Sequence, residues 1–375
     1  MSHHLHVDCR VVALDSNLSY RLPAEWEPHA ATWLIWPGND ILVQHWRGQA
    51  EALRCFVRSY IEQLVHSEPV CLLVAGSMRH RPPEAWRSDP RIHVIDIASN
   101  DVWLRDTAPT FLVPQRAEPA SAPVPIRALC ARWAAYGGKY YPSDQDAALA
   151  VRIASHLHCL REDLPLVLEG GAFDTDGQGT VLLSTGSVVC PQRHPGQSQQ
   201  NLESRIREAL GASHLIWVTG CLEGDDTDGH VDQMVRFVAP GRVLVANQSD
   251  PGHPDHAMLL RLQEQLQHQR DARGRKLEII PINLPPARYI GSRLLPSSYL
   301  NFYITNRAVY IPCFGSSSDD AAVLVLEGCF PGRRIVPIDC RVLIHGGGAL
   351  HCISRQQPAL AEIQQPYHKL APLDS

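Results

Sequence analysis

Apolar and polar positions alternate along the chain in short strand-like runs separated by helical segments. Ala31 to Trp36 is an apolar run closed by Pro37, which predicts a buried strand. Between Trp46 and His66 the apolar residues Leu53, Phe56, Val57, Tyr60, Ile61 and Leu64 recur at three- and four-residue steps, the period of a helix with one buried face. Val70 to Ala75 and Ile92 to Ile97 read as strands. Four more helices are predicted over 144–157, 200–210, 255–270 and 319–330, with Gly211 stopping the second and Pro331 and Gly332 the last. Strand-like runs lie around them at 166–168, 181–184, 215–218, 234–238, 243–245, 277–282, 302–305, 309–311 and 335–338. After the first helix the spacing is about 55 to 65 residues, which leaves room for a ββαβ unit. No GxGxxG follows a strand, so the dinucleotide fingerprint is missing. One domain of repeated α/β units fits better than a Rossmann sheet. Pro114 to Pro125 reads either as a linker or as the loop of a long hairpin. Residues 1–20 read as a mobile lead-in, with order expected from about Pro23. His3, His4 and His6 could bind a metal there, but a terminal His cluster is more often incidental.

Composition narrows the class. Of 375 residues, 45% are hydrophobic and 19% charged, enough for a sizeable core and too apolar for global disorder. The net charge of -5 leaves no basic footprint for nucleic acid. No apolar run approaches the roughly 18 residues that span a bilayer, and no signal pattern opens the sequence. Neither a membrane nor secretion is expected. Eleven cysteines, an odd number without CxxC pairs, argue against a disulfide framework and a structural zinc site. The simple reading is a reduced, soluble, cytoplasmic protein without a metal.

Four polar clusters follow apolar runs and contain or adjoin glycine or proline. They are Trp103-Leu104-Arg105-Asp106, Glu169-Gly170-Gly171, Gly229-His230-Val231-Asp232, and the stretch LIHGGGALHCISRQQP from Leu343 to Pro358. In the last, Gly346 to Gly348 let the backbone bend and a ligand come close, and Cys352 sits just beyond them. In GHVD the His and Asp are two apart, which on a strand would put them on one face. A thiolate needs stabilisation, and a histidine can supply it and then move protons. A Cys-His pair alone would also fit a thiol protease. Two buried aspartates are costly around a neutral amide, but each can take two parallel N–H bonds from a planar guanidinium. Taken singly, the bland readings stand: Arg105–Asp106 as an internal ion pair, Glu169 as a turn cap, Cys352 as a packed thiol.

The segments WLRDTAPTF, LEGGAFDTDGQGT, GDDTDGHVDQMVRFVAPG, SYLNFYITN and GGGALHCISRQQP together resemble the agmatine deiminase family, part of the guanidine-modifying group. PAEWEPHAATWLIWP and YGGKYYP extend the likeness from about Leu22 to Pro358. The resemblance implies a pentein-type α/β propeller of five pseudo-symmetric ββαβ units, a single catalytic domain over 21–365. It implies Cys352 as nucleophile, His230 as general acid/base, Asp106 and Asp232 as the guanidinium grip, and Glu169 as the acid orienting the histidine. Trp103 becomes an aromatic wall for the substrate stem, and Gly348 a point of close approach. The reaction would hydrolyse agmatine to N-carbamoylputrescine and ammonia through a covalent thiouronium, on a putrescine route, with no cofactor. Its partner is a small guanidine substrate; association of identical copies is compatible with the chain. His351 reads as structural.

Asp226 lies in the acidic run Glu223 to Asp228, which either meets the far ammonium of agmatine or is a solvated loop. Some positions depart from the family pattern: Ala349 for Asn, Arg355 for Gln, Ala108 for Gly, and Gln192-Arg193-His194-Pro195 for an NRNP-like turn. Arg355, if it faced the pocket, would repel an amine and suit a carboxylate. Free arginine and peptidyl-arginine therefore stay open as substrates. An amidinotransferase and a silent binding protein are the readings from other classes.

Overall fold

A computed structural model describes residues 19–39, 46, 48–76, 78–115 and 124–360. The predicted lead-in up to residue 18, its histidines, and residues 361–365 lie outside the described residues. The fold is mixed α/β, and its five longer helices fall where the apolar spacing puts them. Ala50–Leu64 buries Leu53, Val57, Tyr60, Ile61 and Leu64 on one face. Gln199–Leu210 begins at Ser198, whose hydroxyl accepts from the Asn201 amide, and ends at Gly211 in the left-handed region at φ +62°. Asp144–His156, His256–Gln267 and Asp319–Cys329 complete the set.

Each of these helices connects two parallel strands, and the first of the two has an antiparallel partner on its other edge. Thr110–Pro114 pairs antiparallel with Arg127–Arg132, which runs parallel to Leu160–Val167 across Asp144–His156. Phe173–Thr175, Thr180–Ser184 and His214–Val218 repeat the pattern, as do Val235–Ala239, Arg242–Asn247 and Glu278–Asn283. Tyr303–Ile304, Ala308–Cys313 and Arg334–Asp339 form the fourth copy. The fifth is assembled from distant parts of the chain. Arg355–Pro358 lies antiparallel to His29–Ile35, which runs parallel to Val70–Val74, with Ile92–Asp96 as a further strand. Every copy is thus a ββαβ unit, each helix crossing over as parallel pairing requires.

Several expectations change. Pro114 to Pro125 is bracketed by two strands paired with Thr110 opposite Leu129, so it connects a hairpin and is not a linker between domains. Tyr20–Arg21 already pairs with Val113 and Pro114, so order begins before Pro23. The apolar run before the glycines, given no element in the sequence, forms a 3₁₀ turn, Leu343–Gly346. Leu160–Val167 starts six residues earlier than its apolar part, because its first half alternates exposed Arg161 and Asp163 with half-buried neighbours.

Candidate active site

In all five units the segment entering the first antiparallel strand carries a buried polar residue. Asp106 lies in the short helix Leu104–Thr107 before Thr110–Pro114. Glu169 precedes the 3₁₀ turn Gly170–Ala172 and the strand at Phe173. His230 and Asp232 sit at the 3₁₀ turn Val231–Gln233 before Val235–Ala239. Asn301 stands two residues before Tyr303–Ile304, and Cys352 lies in the helical turn Leu350–Ile353 before Arg355–Pro358. GHVD is therefore a turn and not a strand; a 3₁₀ bend, not alternation, brings His230 and Asp232 into one site.

The distances make these residues a single cluster. His230 Nε2 is 3.0 Å from Glu169 Oε2, and its Nδ1 is 3.8 Å from Asp106 Oδ1. Asp106 accepts from the Tyr136 hydroxyl and the Gly171 amide, each at 2.8 Å. The Cys352 thiol faces Asp232 Oδ2 at 3.7 Å, and Asn301 Nδ2 donates to its sulfur at 3.1 Å. Asn301 Oδ1 meanwhile accepts from the amides of Ala349, His351 and Cys352, which fixes the turn carrying the thiol. Within this cluster His230 Nδ1 and Asp232 Oδ1 are buried without a hydrogen-bond partner among the described residues. Unsatisfied donors and acceptors of this kind are costly; a ligand N–H would answer Asp232 Oδ1, and a ligand lone pair would answer the Nδ1–H of a protonated His230.

Charge in the cluster is uneven. Burial pushes the His230 imidazole down, but Asp106, Glu169 and Asp232 outweigh it and lift it to about 9. Burial pushes Asp106 up, and Asp232 and Glu169 add to this against the pull of His230. Burial also pushes Asp232 and Glu169 up, yet both end below the usual carboxylate value, held down by His351 for the first and by His230 and Arg193 for the second. Burial, then Asp232 and Asp106, push the Cys352 thiol well up, so a cation is what would favour its thiolate.

A narrow pocket opens onto the thiol between Trp103, Asp106, Tyr136, Tyr140, Asp226 and the glycine run. Trp46 stacks on Trp103 with ring centroids 5.7 Å apart. A Cβ on Gly348 would fall 2.8 Å from the Trp103 ring and 3.0 Å from the Cys352 sulfur, so only glycine leaves the passage open. Gly171 is as constrained: a Cβ there would collide with His230 Nδ1 and lie 3.0 Å from Asp232 Oδ2. Gly171→Ala is therefore expected to cut kcat/KM by about 100-fold, as a displacement of reacting groups by about 1 Å does. Steady-state kinetics beside a melting curve would check that the loss outruns any loss of stability.

The structure brings Cys352, His230, Asp106, Asp232, Glu169, Trp103, Asp226 and Gly348 to one locality, and it corrects two expectations around them. The acidic run does not act as a block. Asp225 caps its own loop through Thr227 and Gly229, Asp228 pairs with Arg193 and Lys139, and Glu223 is exposed. Only Asp226 reaches the pocket, where it accepts from the Tyr140 hydroxyl at 2.8 Å and Arg293 at 2.6 Å. Arg355 does not line the pocket. It is buried on the strand paired to Trp33, donates to the Pro109 carbonyl, and borders a separate small cavity with Glu25 and Arg105. Arg105 donates to the His351 carbonyl, Gln356 and Glu25, so the suspected ion pair with Asp106 does not form.

Sequence reasoning passed over Tyr136, Arg193, Asn301 and Glu25. Arg193, in the turn noted only as a departure, donates to both Glu169 oxygens at 2.9 and 3.0 Å. Tyr136 and Asn301 lie within YGGKYYP and SYLNFYITN, motifs that marked the likeness without singling them out. Among the described residues no cluster suits a metal ion, and no helix is long and apolar enough to cross a membrane.

The chain belongs to the Porphyromonas-type peptidyl-arginine deiminase family, whose model matches residues 21–358. Within it, the chain is 33% identical over 363 residues to the agmatine deiminase of Stutzerimonas stutzeri, covering 91% of this chain and 96% of that one. It is 32% identical to the agmatine deiminase of Pseudomonas aeruginosa, with the same coverage. Its fold superposes on the solved agmatine deiminase of Enterococcus faecalis with a TM-score of 0.81 at 27% identity, covering 90% and 96% of the two chains.

Proposed function

We propose that this protein is an agmatine deiminase, hydrolysing agmatine to N-carbamoylputrescine and ammonia. The observation that carries the reading is the buried thiol set between two carboxylates, with Asp232 Oδ1 and His230 Nδ1 unpartnered. A planar guanidinium donates N–H groups to Asp106 and Asp232 and adds a positive charge beside the sulfur, so Cys352 gives up its proton to solvent as substrate enters. The thiolate adds to the guanidinium carbon. The C–N bond to a terminal nitrogen then breaks, and ammonia leaves with a proton from His230, giving a thiouronium on Cys352. Neutral His230 takes a proton from water, hydroxide adds to the same carbon, and the C–S bond breaks as the hydroxyl proton passes to the leaving sulfur, which frees the ureido product and restores the thiol. Glu169, itself clamped by Arg193, orients the imidazole, and Trp103 backs the alkyl stem. No cofactor enters this scheme.

The same reading takes residues 21–365 as one catalytic domain and the five ββαβ units as blades of a pentein propeller. The support is the equivalent position of the five polar segments, each entering the first strand of its unit. A putrescine-forming role and the cytoplasmic location expected from the unpaired cysteines belong to this reading.

His230 must be protonated when ammonia leaves, so activity should be lost as pH rises through its value of about 9. A kcat/KM profile with a basic limb near there, on agmatine, would agree; a limb at an ordinary imidazole value would not. A second reading, free arginine as substrate, is favoured by Arg293, whose guanidinium meets Asp226 at the rim and lies near Gly347. Ammonia and ureido-product release from agmatine, arginine and peptides with internal or C-terminal arginine separates the two. Agmatine is expected to be preferred; no turnover of any of them would sink the deiminase reading. Product release that needs an added amine acceptor would point instead to amidino transfer.

A further inference from the structure

A second cavity, of about 30 Å³, shares no lining residue with the thiol pocket; Glu25, Arg105, Gly170, Asp174, His351 and Arg355 border it. The charged side chains around it are matched, with one exception. Arg236 lies 3.1 Å from Glu25 Oε2 and 3.3 Å from Asp174 Oδ2. Arg105 reaches the same Glu25 oxygen at 3.4 Å and donates to the His351 carbonyl at 3.1 Å and to Gln356 Oε1 at 2.6 Å. Glu25 also accepts from the Ile304 amide at 2.8 Å and faces His351 Nε2 at 2.8 Å. Asp174 accepts from the Phe237 amide at 2.7 Å. The next carboxylate, Asp232, is turned to His351 Nδ1 at 2.6 Å and the thiol at 3.7 Å.

Three guanidinium groups thus meet two carboxylates, and Arg355 is the one without a counter-charge. It is 4% exposed. Of its five N–H groups only the one on Nε has an acceptor among the described residues, the Pro109 carbonyl at 3.0 Å. Its Nη1 and Nη2 are not sealed in protein, as Nε and Nη2 of Arg236 are; they keep contact with the cavity. Gly170 leaves the fork its room, since a Cβ there would fall 2.9 Å from Nη1. A guanidinium keeps its proton in proteins, and a buried charge without a partner is costly. Burial and then Arg105 push the Arg355 group down to about 9 against the pull of Asp106 and Glu25, so the protein's own anions fall short.

We infer that the cavity binds one small monovalent anion of halide size, chloride under ordinary conditions, on Nη1 and Nη2 of Arg355. A space of this size takes about one or two water-sized bodies, too few for sulfate, phosphate or an organic acid. Water would satisfy the N–H groups but leave the charge uncompensated. The ion belongs to the fold and not to the reaction, so it stands whatever guanidine the enzyme takes. It also gives position 355 a physical sense. The glutamine usual there in the family needs no counter-ion, and a guanidinium does.

Melting curves of the full-length protein test this, with sodium chloride exchanged for sodium gluconate at constant ionic strength. A ligand that binds only the folded state stabilises it in proportion to ln(1 + [L]/Kd). For a Kd of about 5 mM, chloride at about 200 mM is expected to raise Tm by about 3 °C over gluconate, and bromide to do the same. Arg355→Gln should lose that gain. Diffraction at the bromine edge from crystals of the wild type grown in bromide should show an anomalous peak beside Nη1 and Nη2, a reading that does not depend on the variant folding. An equal gain in the wild type and Arg355→Gln would overturn the inference, and so would a cavity without an anomalous peak. A peak without the chloride gain in Tm would mean an adventitious ion only, and would overturn it as well.

Discussion

Cys352→Ala is expected to lower release of ammonia and ureido product by on the order of 10⁴-fold or more, while agmatine still raises the melting temperature of the variant. Removing a nucleophile that forms the covalent intermediate costs far more than removing a contact, since no other path offers a comparable barrier. Asn301 holds the turn through backbone amides of Ala349, His351 and Cys352, so deleting the sulfur leaves the walls of the site in place. Binding should persist because Asp106 and Asp232 supply it, and relief of their mutual repulsion strengthens it. Intact-mass measurement of the wild type quenched during turnover should show the thiouronium adduct, and the variant none. Full activity in Cys352→Ala would remove covalent catalysis from the scheme.

A cationic alkylating agent should outpace a neutral one at Cys352 by about 100-fold, and Asp106→Asn should erase most of that advantage. In the empty pocket burial and the two aspartates keep the sulfur a thiol, so neutral iodoacetamide meets a poor nucleophile. Chloroacetamidine is planar, charged and a donor on both edges, so it brings its own counter-ion to the carboxylates as a guanidinium does. An opposite charge within about 4–6 Å moves a pKa by 1–3 units, which sets the size of the rate gain. Asp106→Asn should also lower kcat/KM on agmatine by about 10² to 10⁴, because it takes one of two anions from the guanidinium in a water-poor site. Competing the two reagents and mapping labelled Cys352 by peptide mass would decide it. Equal labelling by both would show that the aspartates do not recruit a cation.

The helices were legible because each buries one face at helical spacing, as Leu53, Val57, Tyr60 and Leu64 do. Thr110–Pro114 and Arg127–Arg132 went unread although their centres are apolar and buried; other unread strands are short or polar. Phe173–Thr175 has three residues and Arg355–Pro358 reads RQQP; both are defined by partners elsewhere, not by their own pattern. The repeat showed itself in the spacing of helices and not in letters, since ββαβ topology constrains where strands pair far more than which side chains they carry. At the site, Cys352, His230, Asp106 and Asp232 stood out because glycine or another reactive group sits beside them in sequence. Arg193 and Tyr136 have such neighbours too, His194 and Gly137, but no apolar run leads into them, and Glu25 has neither. Tyr136 reaches Asp106 only because Ala135 and Tyr136 both take left-handed conformations at φ +48° and +54°, which neither residue type favours. Glu25 acts on His351 across more than 300 positions of chain. Such contacts belong to the tertiary fold, and no local spacing announces them.

The strand Arg355–Pro358, lying against His29–Ile35, also sets the order in which the protein can come to life on the ribosome. At roughly 5–20 residues per second, His29–Ile35 waits about 15–60 s with one edge open before its antiparallel neighbour is synthesised. Cys352 is made only three residues ahead of that neighbour. A nascent chain therefore cannot display its reactive sulfur beside a finished pocket until nearly all the units that wall it in exist. The same arrangement leaves an unpaired sheet edge exposed throughout synthesis, the feature by which strands find wrong partners. Stalled or truncated products lacking residues 355–358 should thus be inert and prone to clump, with abundance in the cell governed by how promptly translation reaches that last pairing.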